Sequence, residues 1–207
     1  MANELFSADE LDAFGEIVNV AMGRAGAVLA EAFSGFVHLR VPEIRSVEAS
    51  SLVEIHDRLA RVYPSISALH QEFFGELSGD VAVIFGPASY VALREVLGFD
   101  DRDGDGRRQR EELLLELGNA LASTCIAALG EQLGLRTGLR APRVSVFDTA
   151  SDKAVRRLFD GFSVGKGQTV QIAIVFHLEA HDVPFELLIT MHPDCLLEVR
   201  RALAKHL

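Results

Sequence analysis

Two stretches of the chain carry two acidic side chains and one amide side chain at the spacing of successive helical turns. The second stretch repeats the first after 100 residues. The residues are Asp12, Glu16 and Asn19, and then Glu112, Glu116 and Asn119. Because a helix turns by about 100° per residue, each triplet falls on one line along a helix. A carboxamide can hold a water molecule through its donor and its acceptor together, so each triplet predicts a polar face that reaches into a partner.

Residues with small side chains continue the same helical line. They are Gly23, Gly26, Ala27 and Ala30 in the first helix, and Ser123, Ala127 and Gly130 in the second. A solvated helix face usually carries long polar side chains, so small residues beside a Glu/Asn pair favour a docking face. The alternative is that they pack against another element of the same chain. The opposite side of the first helix, with Phe14, Val18 and Val28, is an apolar stripe predicted to face the core.

The elements that carry the triplets are two long predicted helices in matching positions of an internal repeat. A proline follows each helix after a strand-like run, and Pro42 and Pro142 are again 100 residues apart. A polar, glycine-rich linker joins the two halves. The predicted ranges are 8–34 and 110–134 for the helices, 1–99 and 109–207 for the halves, and 100–108 for the linker.

Each half continues with a short helix, two strands joined by a hairpin turn, and a closing helix that begins at a proline. The predicted short helices are Ser51–Leu59 and Ser151–Phe159, the turns are Gly79-Asp80 and His181-Asp182, and the closing helices are Pro87–Leu97 and Pro193–Leu203. The pattern predicts an α/β fold of two pseudo-symmetric halves. Each half is a long helix packed on an antiparallel sheet to which both halves contribute.

The spacing of acid or serine, glutamate and asparagine on a long helix resembles the CheC/CheX/FliY family of receiver-domain phosphatases. The letters E-L-G-N at 116–119 are similar to the usual motif of that family, whereas E-I-V-N at 16–19 lacks the glycine. The run F-F-G-E-L-S-G-D-V-A-V-I-F-G-P-A-S-Y-V-A-L at 73–93 resembles its strand–turn–strand–helix segment. Two motif copies in one chain of this length are most similar to CheC.

The resemblance implies an enzyme that hydrolyses the aspartyl phosphate of a CheY-like receiver domain. In that family the motif helix docks beside the phosphate. Carried over to this chain, Asn19 and Asn119 orient the attacking water, and Glu16 and Glu116 pair with the active-site lysine of the receiver. Asp12 and Glu112 support the two sites. The resemblance also implies that Mg²⁺ belongs to the receiver, that this chain needs no cofactor of its own, and that a CheD-like deamidase is a possible partner.

The linker carries a second motif, which matches the calcium loop of an EF-hand. Its carboxylates are Asp101, Asp103, Asp105 and Glu112, with Gly106 at the sixth position. Against calcium stand Arg108, where an EF-hand has an aliphatic residue, and the lack of a second loop. The alternative is a solvated linker in which Asp favours turns and caps. If calcium does bind, Glu112 would couple it to the second triplet.

The composition is that of a globular protein, with 49% hydrophobic residues and a formal net charge of −10. An acidic surface argues against nucleic acid or an anionic membrane as the partner. Cys125 and Cys195 lie in apolar helical contexts and are predicted to be buried thiols. The N-terminus shows no signal-peptide pattern and no long apolar run occurs, so we expect a cytoplasmic protein. The repeat favours a monomer.

Three functions remain open on the sequence alone. The first is the phosphatase. The second is a non-catalytic adaptor that binds a receiver or a CheD-like protein through the same faces. The third is a calcium-responsive regulator that acts through residues 101–112. Activity assays separate the first two, and calcium binding tests the third.

Overall fold

The computed structural model describes most of both predicted halves. The described residues are 6–32, 37–48, 65–87, 89, 106–147, 168–178 and 183–205. The predicted short helices Ser51–Leu59 and Ser151–Phe159, the turn His181-Asp182 and nearly all of the helix Pro87–Leu97 lie outside the described residues.

The first long helix, α1, spans Ala8–Ala32 and is fixed at its start by a capping box. The Ser7 hydroxyl accepts a hydrogen bond from the Glu10 backbone amide at 3.2 Å, and the Glu10 carboxylate accepts one from the Ser7 amide at 2.8 Å. Arg200 also donates to Glu10 at 2.9 Å. The Ser7 amide and Arg200 hold the pKa of Glu10 below its usual value, and the N-terminus of α1 is tied to the far end of the chain.

The second long helix, α2, spans Gly106–Leu133. It begins four residues before the predicted residue 110, so residues 106–108, which were predicted as linker, are helical, and the predicted start of the helix was wrong. Gly134 ends the helix as predicted, with a φ of 63° that favours glycine. The Leu135 amide donates to the Gly130 carbonyl and the Gly134 amide to the Glu131 carbonyl, which is the Schellman pattern.

Eight strands form one antiparallel sheet in the order β1-β7-β8-β4-β3-β5, with β2 also paired to β7 and β6 also paired to β3. The strands are β1 Val37–Leu39, β2 Glu43–Glu48, β3 Ile66–Gly75, β4 Gly79–Phe85, β5 Thr137–Leu139, β6 Arg143–Phe147, β7 Gln168–Leu178 and β8 Val183–Met191. The predicted turn at Gly79-Asp80 was wrong, because both residues lie in β4 and residues 76–78 make the turn. The Phe73–Gly79 pairing closes that hairpin.

The strands of the first half and those of the second half pair in the same pattern. Leu39 pairs with Phe176, and Leu139, which lies 100 residues further along, pairs with Phe73. Phe176 and Phe73 are 103 residues apart, so residues of β3 correspond to residues of β7 at an offset of 103. Glu43–Ala173 and Arg143–His70 give the same two offsets. The antiparallel sheet with its covering helices confirms the predicted α/β fold class, whereas the repeat and its bounds stay a prediction.

The two long helices pack against each other and cover one face of the sheet. Leu69 and Phe73 of β3 and Val81 and Val83 of β4 belong to the same core as the apolar sides of α1 and α2. Val28 does not join them: it is 54% exposed, against the sequence-based expectation. The helical residues 8–31 and 108–133 are long and apolar enough to cross a membrane, but about half of each is buried in the fold, as in the core helices of globular proteins.

The chain closes with a 3-10 turn, Pro193–Cys195, followed by helix α3, Leu196–Leu203. This confirms the predicted helix that begins at a proline. Both cysteines are buried free thiols, as predicted. Burial raises the pKa of Cys125 to about 12, so this thiol is unreactive at neutral pH.

Candidate functional site

The six side chains of the predicted triplets lie on the outer faces of α1 and α2. All six are exposed to solvent: Asp12, Glu16, Asn19, Glu112, Glu116 and Asn119. The helices are neighbours on one face of the sheet, so both triplets are displayed on the same side of the molecule. Their exposure confirms the helical-wheel prediction that the triplets face away from the core.

The second triplet is held from below by a buried glutamine. Gln71 lies on β3, between Leu69 and Phe73 of the core, and is 3% exposed. Its Nε2 donates to Asn119 Oδ1 at 3.2 Å and to the Arg140 carbonyl oxygen at 2.7 Å. Asn119 is thus exposed at one end of its carboxamide and anchored to the sheet at the other.

A close approach of α2 to β3 makes this contact possible. A Cβ on Gly118 would lie 2.9 Å from Leu69 Cβ and 3.0 Å from Leu69 Cδ1. Both distances are too short for a side chain at this position without movement of the helix or of Leu69. Gly118 therefore lets α2 approach β3 closely enough for Asn119 to hydrogen-bond to Gln71. This gives the glycine of the E-L-G-N segment a physical role.

The first triplet has no such anchor. Val18 stands where the second helix has Gly118, and its side chain is fully buried. Among the described residues, the side chains of Asn19 and Glu16 have no hydrogen-bond partner. The two sites therefore share residue types, spacing and exposure, but they differ in how firmly the asparagine is held.

The small residues of the two helices divide between packing and an open surface. A Cβ on Gly26 would meet Leu39 Cδ1 of β1, and a Cβ on Gly130 would lie 2.9 Å from the Leu135 carbonyl oxygen. These two glycines serve packing within the chain. A Cβ on Gly23 would meet no atom within 4 Å, and Gly23 is exposed, as are Ala27 and Ala127. A low, open surface beside Asn19 is consistent with a docking face.

Sequence reasoning missed three residues of this region. Gln71 could have been noticed as a polar residue that interrupts the apolar side of a strand. Val20 and Leu115 are 45% and 43% exposed, next to Asn19 and Glu116 respectively. Exposed aliphatic residues beside the polar triplets add apolar area to the surface that a partner would meet.

The predicted calcium ligands are only partly described. Asp101, Asp103 and Asp105 lie outside the described residues. Glu112 is helical, and its Oε1 accepts a hydrogen bond from Arg108 Nε at 3.0 Å. Within the described part of the chain, no group of three or more His, Cys, Asp or Glu residues could hold a metal ion. Calcium binding stays a prediction.

If the loop binds calcium, titration calorimetry at millimolar Ca²⁺ should show saturable heat, because even the weaker calcium loops of this type bind in about the millimolar range. The variant Asp101→Asn/Asp103→Asn should remove that heat, since it removes two of the carboxylates. Absence of heat from the wild-type chain would exclude the calcium-responsive regulator.

A buried ionic cluster lies away from the triplets, on the other side of β3 and β4. Asp80 is fully buried, and its carboxylate contacts His70 Nε2 at 2.8 Å and His192 Nε2 at 3.1 Å. The hydrogen bond that His192 makes to Asp80 raises the pKa of His192, assisted by the charges of Asp80, Glu72 and Asp194 and opposed by burial. The cluster joins β3, β4 and the end of β8, so we assign it to stability.

Removal of the Asp80 charge should destabilise the fold in a pH-dependent way. Asp80→Asn is expected to lower the free energy of unfolding by about 3 kcal/mol, because it breaks a buried ion pair. A raised histidine pKa stabilises the fold below the unfolded pKa of about 6.5, and this stabilisation disappears as pH rises through the folded pKa. Urea unfolding should therefore show a larger difference between wild type and variant at pH 6 than at pH 8.5. Equal differences would contradict a charged His192 in the folded state.

Comparison with known proteins gives the fold a name. No protein-family model and no curated protein matches the chain. FliY from Thermotoga maritima superposes with a TM-score of 0.67 and 16% identity, over 98% of this chain and 99% of FliY. CheX from Borrelia burgdorferi, solved as a complex with CheY, BeF3 and Mg²⁺, superposes at 0.50 with 13% identity, over 90% and 99%. The chain has the CheC/CheX/FliY fold.

The same fold also occurs in a protein of another name. The FliM middle domain of H. pylori superposes with a TM-score of 0.61 and 9% identity, over 95% of this chain and 99% of that domain. At these identities the likeness concerns the fold alone. A specific closeness to CheC within the CheC/CheX/FliY fold stays a prediction.

Proposed function

We propose that this chain is a phosphatase that removes the phosphoryl group from the aspartate of a CheY-like receiver domain, in chemotaxis or another two-component pathway. The observation that carries the proposal is the pair of exposed Glu/Asn sites, at equal spacing, on adjacent helices of the CheC/CheX/FliY fold. We further propose that the protein works in the cytoplasm as a monomer.

The proposed reaction needs positioning more than covalent chemistry. An aspartyl phosphate is an acyl phosphate and already hydrolyses in water, so an aligned water molecule is the main requirement. Asn19 or Asn119 orients that water for in-line attack on phosphorus. The P–O bond to the aspartate breaks, and the receiver regains its free carboxylate. A neutral amide suits this place, because a carboxylate would be repelled by the phosphoryl oxygens.

The glutamates and the aliphatic residues give the docking its geometry. Glu16 and Glu116 are placed one helical turn from the asparagines and pair with the active-site lysine of the receiver. Val20 and Leu115, exposed beside the triplets, lose their contact with water when the receiver docks. Mg²⁺ is part of the receiver in this scheme, so this chain supplies no metal ligand to the reaction.

The CheX–CheY complex from Borrelia burgdorferi supports a receiver as the partner, since a protein of the same fold was crystallised with one. The second candidate function is an adaptor that binds a receiver, or a CheD-like deamidase, without turnover. The FliM middle domain has the same fold under another name, so the fold by itself does not select the phosphatase over the adaptor. The two exposed asparagines favour the phosphatase.

The test is the decay of a ³²P-labelled receiver domain, with binding measured in parallel on the same proteins. The receiver is the CheY homologue encoded nearest to the gene. The proteins are wild type, Asn19→Ala, Asn119→Ala and the double variant. If the chain is a phosphatase, the labelled receiver should decay faster with wild type and at its own intrinsic rate with the double variant. Binding without faster decay would replace the phosphatase by the adaptor.

A further inference from the structure

The hydrogen bonds beneath Asn119 fix which end of its carboxamide faces a partner. The Arg140 carbonyl oxygen can only accept, so Gln71 must turn its NH₂ group toward it, at 2.7 Å. The same NH₂ group then donates to Asn119, at 3.2 Å, and must meet the Asn119 oxygen rather than its nitrogen. The Asn119 NH₂ group is consequently directed away from the sheet.

The strand that corresponds to β3 in the other half offers no such donor. The pairing registers place β3 residues at an offset of 103 from β7 residues, as Phe73 and Phe176 show. Gln71 therefore corresponds to Ile174, which is 1% exposed and has no hydrogen-bonding side chain. The Arg40 and Arg140 amides keep the matching bonds to Val175 and Glu72, so the two halves share this backbone and differ in the side chain.

The orientation that lets Gln71 make these contacts leaves its own side-chain oxygen without a hydrogen bond. Its own Oε1 is buried, and no described residue hydrogen-bonds to it. A buried acceptor without a partner is unfavourable for folding, and isoleucine, as in the other half, would avoid that penalty. A polar residue kept in the core at a cost to stability is typical of a functional position.

We infer that Gln71 is a positioning residue that pre-orients the Asn119 carboxamide, and that the second site is therefore the faster of the two. The catalytic part of this inference rests on the proposed function. Asn119 enters the complex with its NH₂ group already directed outward, whereas Asn19 must be ordered on docking. Loss of Gln71 should lower kcat at the second site and leave the affinity for the receiver unchanged, because Gln71 is buried beneath the docking face.

The test replaces Gln71 by the residue that the other half has at this place. In an Asn19→Ala background only the second site operates, and there Gln71→Ile should lower kcat about tenfold, the effect of one lost hydrogen bond. Adding Gln71→Ile to Asn119→Ala should cost no more than Asn119→Ala alone, since the two residues act as one unit. The Kd for the receiver carrying BeF3⁻ and Mg²⁺ should stay within twofold.

Gln171 offers a matched control. It is also a strand glutamine, 5% exposed, with an Nε2 that lacks a partner among the described residues, but it lies on β7 on the face away from the core of α1 and α2. Gln171→Ile should leave kcat unchanged. The melting temperature of Gln71→Ile should be no lower than that of wild type, which excludes general unfolding as the cause of lost activity.

A spectroscopic readout separates this inference from the proposed function. The side-chain NH₂ resonance of Asn119, identified by its absence in Asn119→Ala, should shift in Gln71→Ile and stay in place in Gln171→Ile. An unchanged resonance, or an unchanged kcat in the Asn19→Ala background, would overturn the role of Gln71. A wild-type chain that binds the receiver without accelerating decay would overturn the proposed function, and the NMR result would then decide alone whether Gln71 orients Asn119.

Discussion

Substitution of both asparagines by alanine should reduce the acceleration of receiver dephosphorylation by at least about a hundredfold, the scale associated with loss of reactant alignment. Asn119→Ala alone should remove most of the activity, and Asn19→Ala the smaller part, because only Asn119 is held by Gln71. The measurement is the first-order decay of the phosphorylated receiver at saturating concentrations of each variant. Equal losses in the two single variants would contradict the ranking of the sites.

Aspartate at position 119 gives a sharper version of this prediction. Asn119→Asp keeps the shape of the side chain and an oxygen that Gln71 can contact. It loses the outward NH₂ group and places a negative charge beside the phosphoryl oxygens. In the Asn19→Ala background it should be as inactive as Asn119→Ala, although the helix and its anchor are intact. Activity close to that of the parent would show that the amide does not face the phosphate.

Substitution of Gly118 by valine should cause the second large effect. The added Cβ would lie 2.9 Å from Leu69 Cβ, so either α2 or Leu69 of β3 must be displaced. Overpacking of this kind lowers the free energy of unfolding by about 1–3 kcal/mol. The displacement also separates Asn119 from Gln71, and a shift of about 1 Å at a reacting group can cost a hundredfold in rate. We expect a loss of that size in the Asn19→Ala background.

Gly15→Val is the matched control for this substitution. Gly15 also lies within a long helix, one residue before Glu16, but nothing lies within 4 Å of a Cβ built there. Its free energy of unfolding should change by less than about 0.5 kcal/mol in urea unfolding, as for a substitution away from tight packing. If Gly118→Val is as stable as Gly15→Val, the close approach of α2 to β3 is not required.

The sequence alone was sufficient for the parts of the fold that depend on local pattern. The period of the long helices, the glycine stop at Gly134 and the proline that begins the 3-10 turn before α3 follow from rules that act within a few residues. The exposure of the triplets followed from the helical wheel. The turn at Gly79-Asp80 was misplaced, because the favourable turn dipeptide was overridden by pairing of β4 with both β3 and β8.

The features that could not be predicted depend on which elements meet. Gln71 and Asn119 are 48 residues apart, and their hydrogen bond exists only because α2 lies on β3 at Gly118. Val28 lies on the apolar side of the helical wheel and is nevertheless exposed. A wheel does not show how much of that side a neighbouring element covers. The difference between Gln71 and Ile174 became visible only when strand registers gave the true offset of 103, since the offset of 100 from the helices pairs Gln71 with Gln171.

Multiple-turnover release of phosphate tests the central claim most directly. A receiver domain held in its phosphorylated state by excess small-molecule phosphodonor is mixed with this chain at about one-twentieth of its concentration, and inorganic phosphate is followed over time. We predict steady release that is faster than the intrinsic rate of the receiver and continues well beyond one phosphate per chain. In the Asn19→Ala/Asn119→Ala variant the rate should fall back to the intrinsic rate. If the wild-type chain binds the receiver but phosphate is released only at the intrinsic rate of the receiver, the phosphatase is contradicted and the non-catalytic adaptor takes its place.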